Sequence, residues 1–460
     1  MKVAIVIPKS YNPKQVYKEY PLGAGYIATI LQENNYEVKL YDQSVQFNDN
    51  QELVNELIEF NPDVIGFSIL TATYPIALEL IELLNKSKLN AKLIAGGIHP
   101  TIFPNESVKD GFHFVIRGEG EISILKLINK LKDNKTDFTD IPNLTFKIND
   151  EIISNKDEEV FLNIDKLPIV NRDLYDITKY TNHSLSGTRG CPFSCKFCCN
   201  YDNLTKVSVK NRARSVESII CEIEYLLDNY DINHFFFTDD LFFTNIKNLR
   251  KFSELIIEKE INITYNAQLR VNMITDEICE LLKSSGCAKL EVGAEVGSQQ
   301  ILDDACKGIK VESIIKGIEI AKKNDLRIKT NWIYGLPGNM VEQYKSIDIM
   351  LKAKPNEISI HQLIPFPGTE YYDNRFEYGI TIRDPFDFKS FCYGDLDDNI
   401  SYNYMNKDQY NNFIFDTIDA LENVGYVSSD KSDKNSKYIY TTPFDKHSLS
   451  LSHLEESVLV

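Results

Sequence analysis

Short runs rich in β-branched residues alternate with stretches of helical periodicity through most of this chain, and that alternation commits it to an α/β architecture built on parallel sheets. In the N-terminal part the strand-like runs are Lys2 to Pro8, Glu37 to Asp42, Asp63 to Ile69, Lys92 to Ile98 and Phe112 to Arg117. Helical patterns fall between and after them, at Leu22 to Glu33, Gln51 to Phe60, Pro75 to Asn85 and Glu119 to Leu131. This order predicts a Rossmann-like open sheet, whose ligands sit beyond the carboxyl ends of the strands. The dinucleotide fingerprint G-x-G-x-x-G is missing after the first strand, which argues against NAD.

A second series starts at His183. Its strand-like runs are His183 to Thr188, His234 to Thr238, Thr264 to Ala267, Lys289 to Gly293, Ile328 to Ile333 and Glu357 to Leu363, six where a closed barrel has eight. Between the two series, NLTFKINDEIIS reads as a hairpin about Asn149 and Asp150. The Pro-interrupted DKLPIVNRDLYDI is expected to lie across the barrel. The expected domains are a sheet domain at 1–135, hairpin and linker at 136–182, a partial barrel at 183–370, and a C-terminal cap and tail at 371–460. Within the last, Asn411 to Asn423 reads as an amphipathic helix, and the polar stretch from Gly425 onward as a loosely packed tail.

Composition narrows the partners. At 460 residues and 43% apolar content the chain can bury more than one core. A net charge of -17 argues against a nucleic-acid backbone or an anionic membrane, both of which ask for a basic face. No run of about 18 apolar residues occurs, and MKVAIVIP reads as a strand rather than a leader, so the expected location is the cytoplasm. Nine cysteines, three of them clustered, suit a reducing compartment and a thiolate-held metal group better than a disulfide framework.

The clustered three stand in SGTRGCPFSCKFCCN, where Cys191, Cys195 and Cys198 are spaced C-x3-C-x2-C on a loop turned by Gly190 and Pro192. A closed structural site wants four protein ligands, whereas a site that does chemistry at the metal keeps one position open. A zinc knuckle is the alternative, but no second C-x2-C or His pair completes one. The pattern resembles the signature of the radical S-adenosylmethionine enzymes. That resemblance implies a [4Fe-4S] cluster held by the three cysteines, S-adenosylmethionine on the fourth iron, and a partial (β/α)6 TIM-type barrel.

Later strand ends extend the resemblance. FFFTDDLF offers Asp239 and Asp240, neighbours that must alternate faces, and the family implies contact of this pair with S-adenosylmethionine. A loop aspartate pair is the alternative. Arg270 ends the third strand and is a candidate catalytic cation, with a salt bridge on the following helix as the alternative. LEVGAEVGSQQ resembles the G-x-E-S-G phrase whose glutamate holds the ribose hydroxyls; Glu295 is the matching residue, and Val296 stands where serine is usual. IYGLPGN puts Gly335 and Pro337 in a tight turn near the cofactor, and backbone groups of the fifth and sixth strands are candidate acceptors for the adenine amine.

In the first domain, PLGAGYIATIL, GFSILTATY, GGIHPTIFPNE and RGEGE look like the cobalamin-binding domain that precedes the barrel in one large class of these enzymes. The resemblance implies cobalamin against Ser68, Thr71, Gly96, Gly97 and Glu119. Read alone, glycines at strand ends are also ordinary turns. The D-x-H-x-x-G motif is absent after Pro8. The lower face of cobalt is then left to water, to an apolar side chain of the Ile69 to Tyr74 loop, or to nothing, with His99 packing on the cofactor edge.

These expectations combine into an enzyme that cleaves S-adenosylmethionine to a 5'-deoxyadenosyl radical and uses cobalamin to methylate an unactivated carbon of a small molecule or peptide. An external flavodoxin or ferredoxin would supply electrons. Ring formation, rearrangement or sulfur insertion are alternatives, and a non-catalytic iron-sulfur electron-transfer or sensing protein is the alternative of another class. Cys199 reads as a buried packing thiol or, alternatively, as a thiyl partner to a substrate radical.

Overall fold

Strands covered by helices on both faces need apolar side chains on both sides, and Val3, Ala4, Ile5 and Val6 in the first strand are all buried. In the computed structural model, which describes residues 1–12, 19–158, 163–200, 211–392, 398–428 and 438–443, the chain divides into two compact units, one spanning Met1–Asn182 and one starting at His183.

The first unit is built on β1 (Lys2–Ile7), β2 (Glu37–Asp42), β3 (Val64–Ser68), β4 (Lys92–Gly96), β5 (Phe114–Ile116), β6 (Leu144–Ile148) and β7 (Glu151–Ser154). Their order is β2-β1-β3-β4-β5-β6-β7, with the first five parallel and the last two antiparallel. The order of the sheet reverses between β1 and β3, the place where such sheets bind ligands. Helices Leu22–Glu33, Asn50–Phe60, Tyr74–Lys86 and Glu121–Lys132 lie where periodicity places them.

The stretch expected as a hairpin and linker belongs to this unit. The β6-β7 hairpin continues the sheet from β5. The Pro-interrupted segment, expected to lie across the barrel, packs within the first unit: Leu167, Val170, Tyr175 and Tyr180 are buried in its core, and Leu174 and Ile177 pack against it partly buried. Gly25 of the PLGAG phrase is explained by this packing, since a Cβ there would stand 2.6 Å from Val170 Cγ1.

The second unit opens with β8 (His183–Leu185), followed by the short ribbon β9 (Thr188–Arg189) and β10 (Arg212–Ala213). Then come β11 (His234–Phe237), β12 (Thr264–Arg270), β13 (Cys287–Glu295), β14 (Arg327–Tyr334) and β15 (Glu357–Gln362). With β8 they form six parallel strands in the order β8-β11-β12-β13-β14-β15, the partial barrel expected. Alternation sorts the side chains: Ile328, Thr330, Trp332 and Tyr334 of β14 are buried, while the other face carries charge. There Lys329 pairs with Glu291 at 3.3 Å, and Lys289 and Arg327 pair with Glu357 at 3.4 and 2.5 Å.

The next helix starts at Val216, because Arg212 and Ala213 pair with β9 and Ser215 caps the helix through Ser218 N–H. Beyond the barrel, β16 (Ile380–Ile382) and β17 (Ile400–Tyr402) form a hairpin, and helix Lys407–Glu422 begins four residues earlier than expected through the Asn406 and Gln409 capping box. Two strands of the expected tail, β18 (Tyr426–Ser428) and β19 (Tyr438–Pro443), instead extend the sheet at β15, an edge that would otherwise be open. The remainder of that tail lies outside the described residues.

Candidate active site

The cysteine loop leaves β9, and its root is held by a carboxylate. Asp239, at the end of β11, is buried and accepts from Gly187 N–H at 2.9 Å, Thr188 N–H at 2.8 Å and Ser186 Oγ at 3.2 Å. Burial pushes its pKa up to about 7, against the pull of those donors. Arg214 grips the same turn: its N–H donates to Gly187 O, Nη1 donates to Ser186 O at 3.0 Å, and the guanidinium is paired at 2.5 Å with buried Glu222. Asp239 thus faces the backbone, while Asp240 is exposed, the alternation expected of neighbours on a strand end.

Inside the loop, Cys198 N–H donates to Cys195 O at 3.0 Å, making a tight turn. Lys196 N–H donates to Ala305 O at 3.1 Å, and Lys196 O accepts from Tyr371 N–H at 3.3 Å, so the loop is clamped from two later segments. Cys195 is buried and Cys191 and Cys198 are half-buried. Burial first, then the Asp240 carboxylate and neighbouring thiols, push the thiols of Cys191 and Cys198 up. Ionising those two sulfurs therefore calls for a bound cationic group. Among the described residues no three His, Cys, Asp or Glu side chains converge on a single ion; an iron-sulfur cube asks for one thiolate per iron, and this donor set fits it. Cys199 corrects its expectation of burial: it is exposed, and the neighbouring buried place is taken by Asn200.

The residues between the cysteines are rests for cations. The guanidinium of Arg270 lies 3.7 Å from the ring centroid of Phe193, and the ammonium of Lys307 lies 5.9 Å from that of Phe197. Arg270 is buried; Nη2 donates to Lys307 O, and Nη1 lies 3.8 Å from Cys195 Sγ. The alternative of a salt bridge on the following helix does not hold for it. Lys307 Nζ pairs with Glu295 Oε1 at 2.5 Å. Glu295 has the left-handed φ of +64°, and Gly293 gives its carboxylate room: a Cβ there would collide with Glu295 Oε1 and stand 2.8 Å from Lys307 Nζ. Sequence reasoning missed Lys307 and Arg214. The only signal for Lys307 was a lysine-glycine step shortly after the Glu295 phrase.

Gly335 sits at the carboxyl end of β14 with φ +85°, in the expected turn, and Pro337 follows half-buried. Two backbone carbonyls just past the ends of the fifth and sixth strands are engaged: Tyr404 Oη donates to Gly335 O at 2.8 Å, and Tyr402 Oη donates to Leu363 O at 2.5 Å.

In the first unit, Ser68 and Gly96 are register partners at the ends of β3 and β4, and Glu119 follows β5. Gly97, with φ +100°, serves the fold, since a Cβ would stand 2.6 Å from Ile69 O. Thr71 is buried with its Oγ1 3.4 Å from His99 Nδ1. His99 is not at an edge open to a cofactor: it is wholly buried, with its ring 3.8 Å from that of Tyr74 and 5.2 Å from that of Phe103, and burial drives its pKa down to about 3. Among the described residues, Leu70 and Tyr11 emerge where the sheet order reverses, 41% and 38% exposed, on backbones joined by Tyr11 N–H to Ala72 O at 3.0 Å. They suit the face of a large macrocycle.

Comparisons with known proteins agree with both halves. The B12 binding domain family matches residues 13–128, and the radical SAM superfamily matches residues 185–349. The chain is 28% identical over 390 residues to an uncharacterized methyltransferase of Pyrococcus horikoshii, covering 81% of this chain and 83% of the relative. It is 22% identical to an anaerobic magnesium-protoporphyrin IX monomethyl ester cyclase of Rubrivivax gelatinosus, covering 84% and 74%. Among solved structures, the radical S-adenosylmethionine methyltransferase TsrM of Kitasatospora setae, with cobalamin and a [4Fe-4S] cluster bound, superposes with a TM-score of 0.71 at 17% identity over 84% of this chain and 77% of that one, a likeness of fold.

Proposed function

The chain belongs to the radical S-adenosylmethionine enzymes that carry a B12-binding domain, and from that premise we propose that it methylates an unactivated carbon of a small-molecule or peptide substrate. The observation that carries the site is Lys307, which joins the cysteine loop, through Phe197 and Arg270, to the Glu295 carboxylate. When bound, the cluster and S-adenosylmethionine supply a hydrogen-abstracting 5'-deoxyadenosyl radical, and cobalamin supplies the methyl group.

The protein's part is positional. Cys191, Cys195 and Cys198 would hold the cluster, and Asp239 and Arg214 fix the root of their loop. Glu295 presents two oxygens to a pair of vicinal hydroxyls, with Lys307 as its countercharge. Asp240, exposed and near enough to the thiols to raise the pKa of Cys191, is the carboxylate assigned to the amine of S-adenosylmethionine. Gly335 and Pro337 shape the turn beside it, and Ser68, Thr71, Gly96 and Glu119 rim the cobalamin crevice, with Leu70 as its apolar floor. Electrons would come from a flavodoxin or ferredoxin. We place the reaction in the cytoplasm, where a reducing medium keeps the nine cysteines as thiols; among the described residues no helix is long and apolar enough to cross a membrane.

The test is anaerobic incubation of the reconstituted protein with S-adenosylmethionine, hydroxocobalamin, a reductant and candidate substrates, read by mass spectrometry. Equal formation of 5'-deoxyadenosine and S-adenosylhomocysteine with a product heavier by one methylene supports methylation. Deoxyadenosine alone would move the reading to ring formation or rearrangement, the reading that the cyclase relative favours.

A further inference from the structure

A cation buried against a cluster ligand acts on the electron that the cluster accepts. Arg270 is 6% exposed and is held on three sides: Nη2 donates to Lys307 O, the guanidinium plane rests 3.7 Å from the Phe193 centroid, and Nη1 points to Cys195 Sγ at 3.8 Å. The rest and the target both belong to the cysteine loop, so the arginine is tied to the loop itself. Lys307, its third support, is turned toward the site by two left-handed residues, Cys306 at φ +53° and Gly308 at φ +67°. A guanidinium so placed has few other positions to adopt, and its charge sits in a medium where water screens it little.

We propose that Arg270 is a positioning residue whose hydrogen bond to the Cys195 sulfur makes the cluster easier to reduce, over and above any contact with S-adenosylmethionine. The reduction adds one electron to the cluster, drawn from an external one-electron donor. The added negative charge falls next to a fixed positive one, and a donor on a cysteine sulfur draws electron density from the iron, both of which raise the potential. This rests on the cluster reading of Cys191, Cys195 and Cys198. The packing also assigns Phe193 a task, that of keeping the guanidinium beside the sulfur.

The full-length protein is reconstituted with iron and sulfide as wild type, Arg270→Gln, Arg270→Lys and Phe193→Leu. Iron content is assayed, and the cluster is titrated with titanium(III) citrate under electron-paramagnetic detection, without S-adenosylmethionine and then with it. The expected result is wild-type iron content with an Arg270→Gln midpoint more negative by at least a tenfold change in the reduction equilibrium, 59 mV for one electron, already present without S-adenosylmethionine. Arg270→Lys and Phe193→Leu should shift in the same direction by less. An Arg270→Gln midpoint equal to wild type without S-adenosylmethionine, accompanied by weaker S-adenosylmethionine binding, would assign the arginine to the cofactor carboxylate and overturn the proposal. Should Arg270→Gln fail to take up iron, an unshifted Phe193→Leu midpoint overturns it equally. Wild-type protein that takes up no iron would instead sink the cluster reading beneath it.

Discussion

Lys307 Nζ stands 2.5 Å from Glu295 Oε1, with both side chains buried, and this ion pair links the residue placed to bind ribose to the loop placed to bind iron. Breaking a buried pair by removing one partner leaves the other charge uncompensated, at a cost of about 3–5 kcal/mol. Lys307→Met should therefore lower the urea midpoint of the second unit and weaken S-adenosylmethionine binding more than tenfold. The double variant Lys307→Met, Glu295→Gln should recover stability while binding stays lost. Restored binding in the double variant would remove Glu295 from the site.

Gly293 tests the same carboxylate from the backbone side. A Cβ there meets Glu295 Oε1 with no room to spare and stands 2.8 Å from Lys307 Nζ. The strand continues on both sides, so Gly293→Ala should leave the far-ultraviolet circular dichroism unchanged. Its expected effect is a rise of at least tenfold in the S-adenosylmethionine dissociation constant, about 1.4 kcal/mol, by calorimetry. An unchanged constant would mean that Glu295 has another orientation when the cofactor is bound.

The parts legible in the sequence were those written in local patterns. Alternation placed the parallel strands of both sheets, and the C-x3-C-x2-C loop and Glu295 fell at strand ends as their phrases implied. What stayed hidden depends on contacts between distant segments. Lys307 reaches the site only because Cys306 and Gly308 are left-handed, and a cysteine gives no warning of that. Nothing local tells that Arg270 and Lys307 come to rest on Phe193 and Phe197. Gly97 has the look of a ligand-facing glycine, yet its crowding comes from the Ile69 backbone. The segment through Val170 was misplaced for the same reason, its apolar residues carrying no label for the core they fill.

Asp239 and Asp240 should separate cleanly. Asp239 accepts from two backbone N–H groups and a hydroxyl at the root of the cysteine loop. All three bonds end on Oδ1, so alanine removes the acceptor of each, and each buried donor left unsatisfied costs roughly 1–3 kcal/mol. Asp239→Ala is expected to hold less than half of the wild-type iron after reconstitution. Asp240→Asn, on the exposed side, should hold the full amount and lose S-adenosylmethionine affinity instead. Equal iron in the two variants would contradict the division of labour.

A pH dependence is expected in the first unit, at Asp42. Its carboxylate is buried at the end of β2, accepting from Tyr180 Oη at 2.9 Å and Ser44 N–H at 3.0 Å, and burial raises its pKa from 3.8 to about 6. A group whose folded pKa is raised favours the folded state when protonated. Its contribution is thus fully present below pH 3.8 and is lost as the pH climbs through 6. The gap between the two values corresponds to roughly 3 kcal/mol. Asp42→Asn keeps the shape and removes the charge, with Tyr180 Oη free to turn and accept from the new amide. Urea denaturation of the full chain, followed by a probe in the first unit at pH 5.0 and 7.5, should show wild type losing more stability than Asp42→Asn as the pH rises. Parallel losses in the two proteins would mean that water or a shifted Tyr180 solvates the carboxylate.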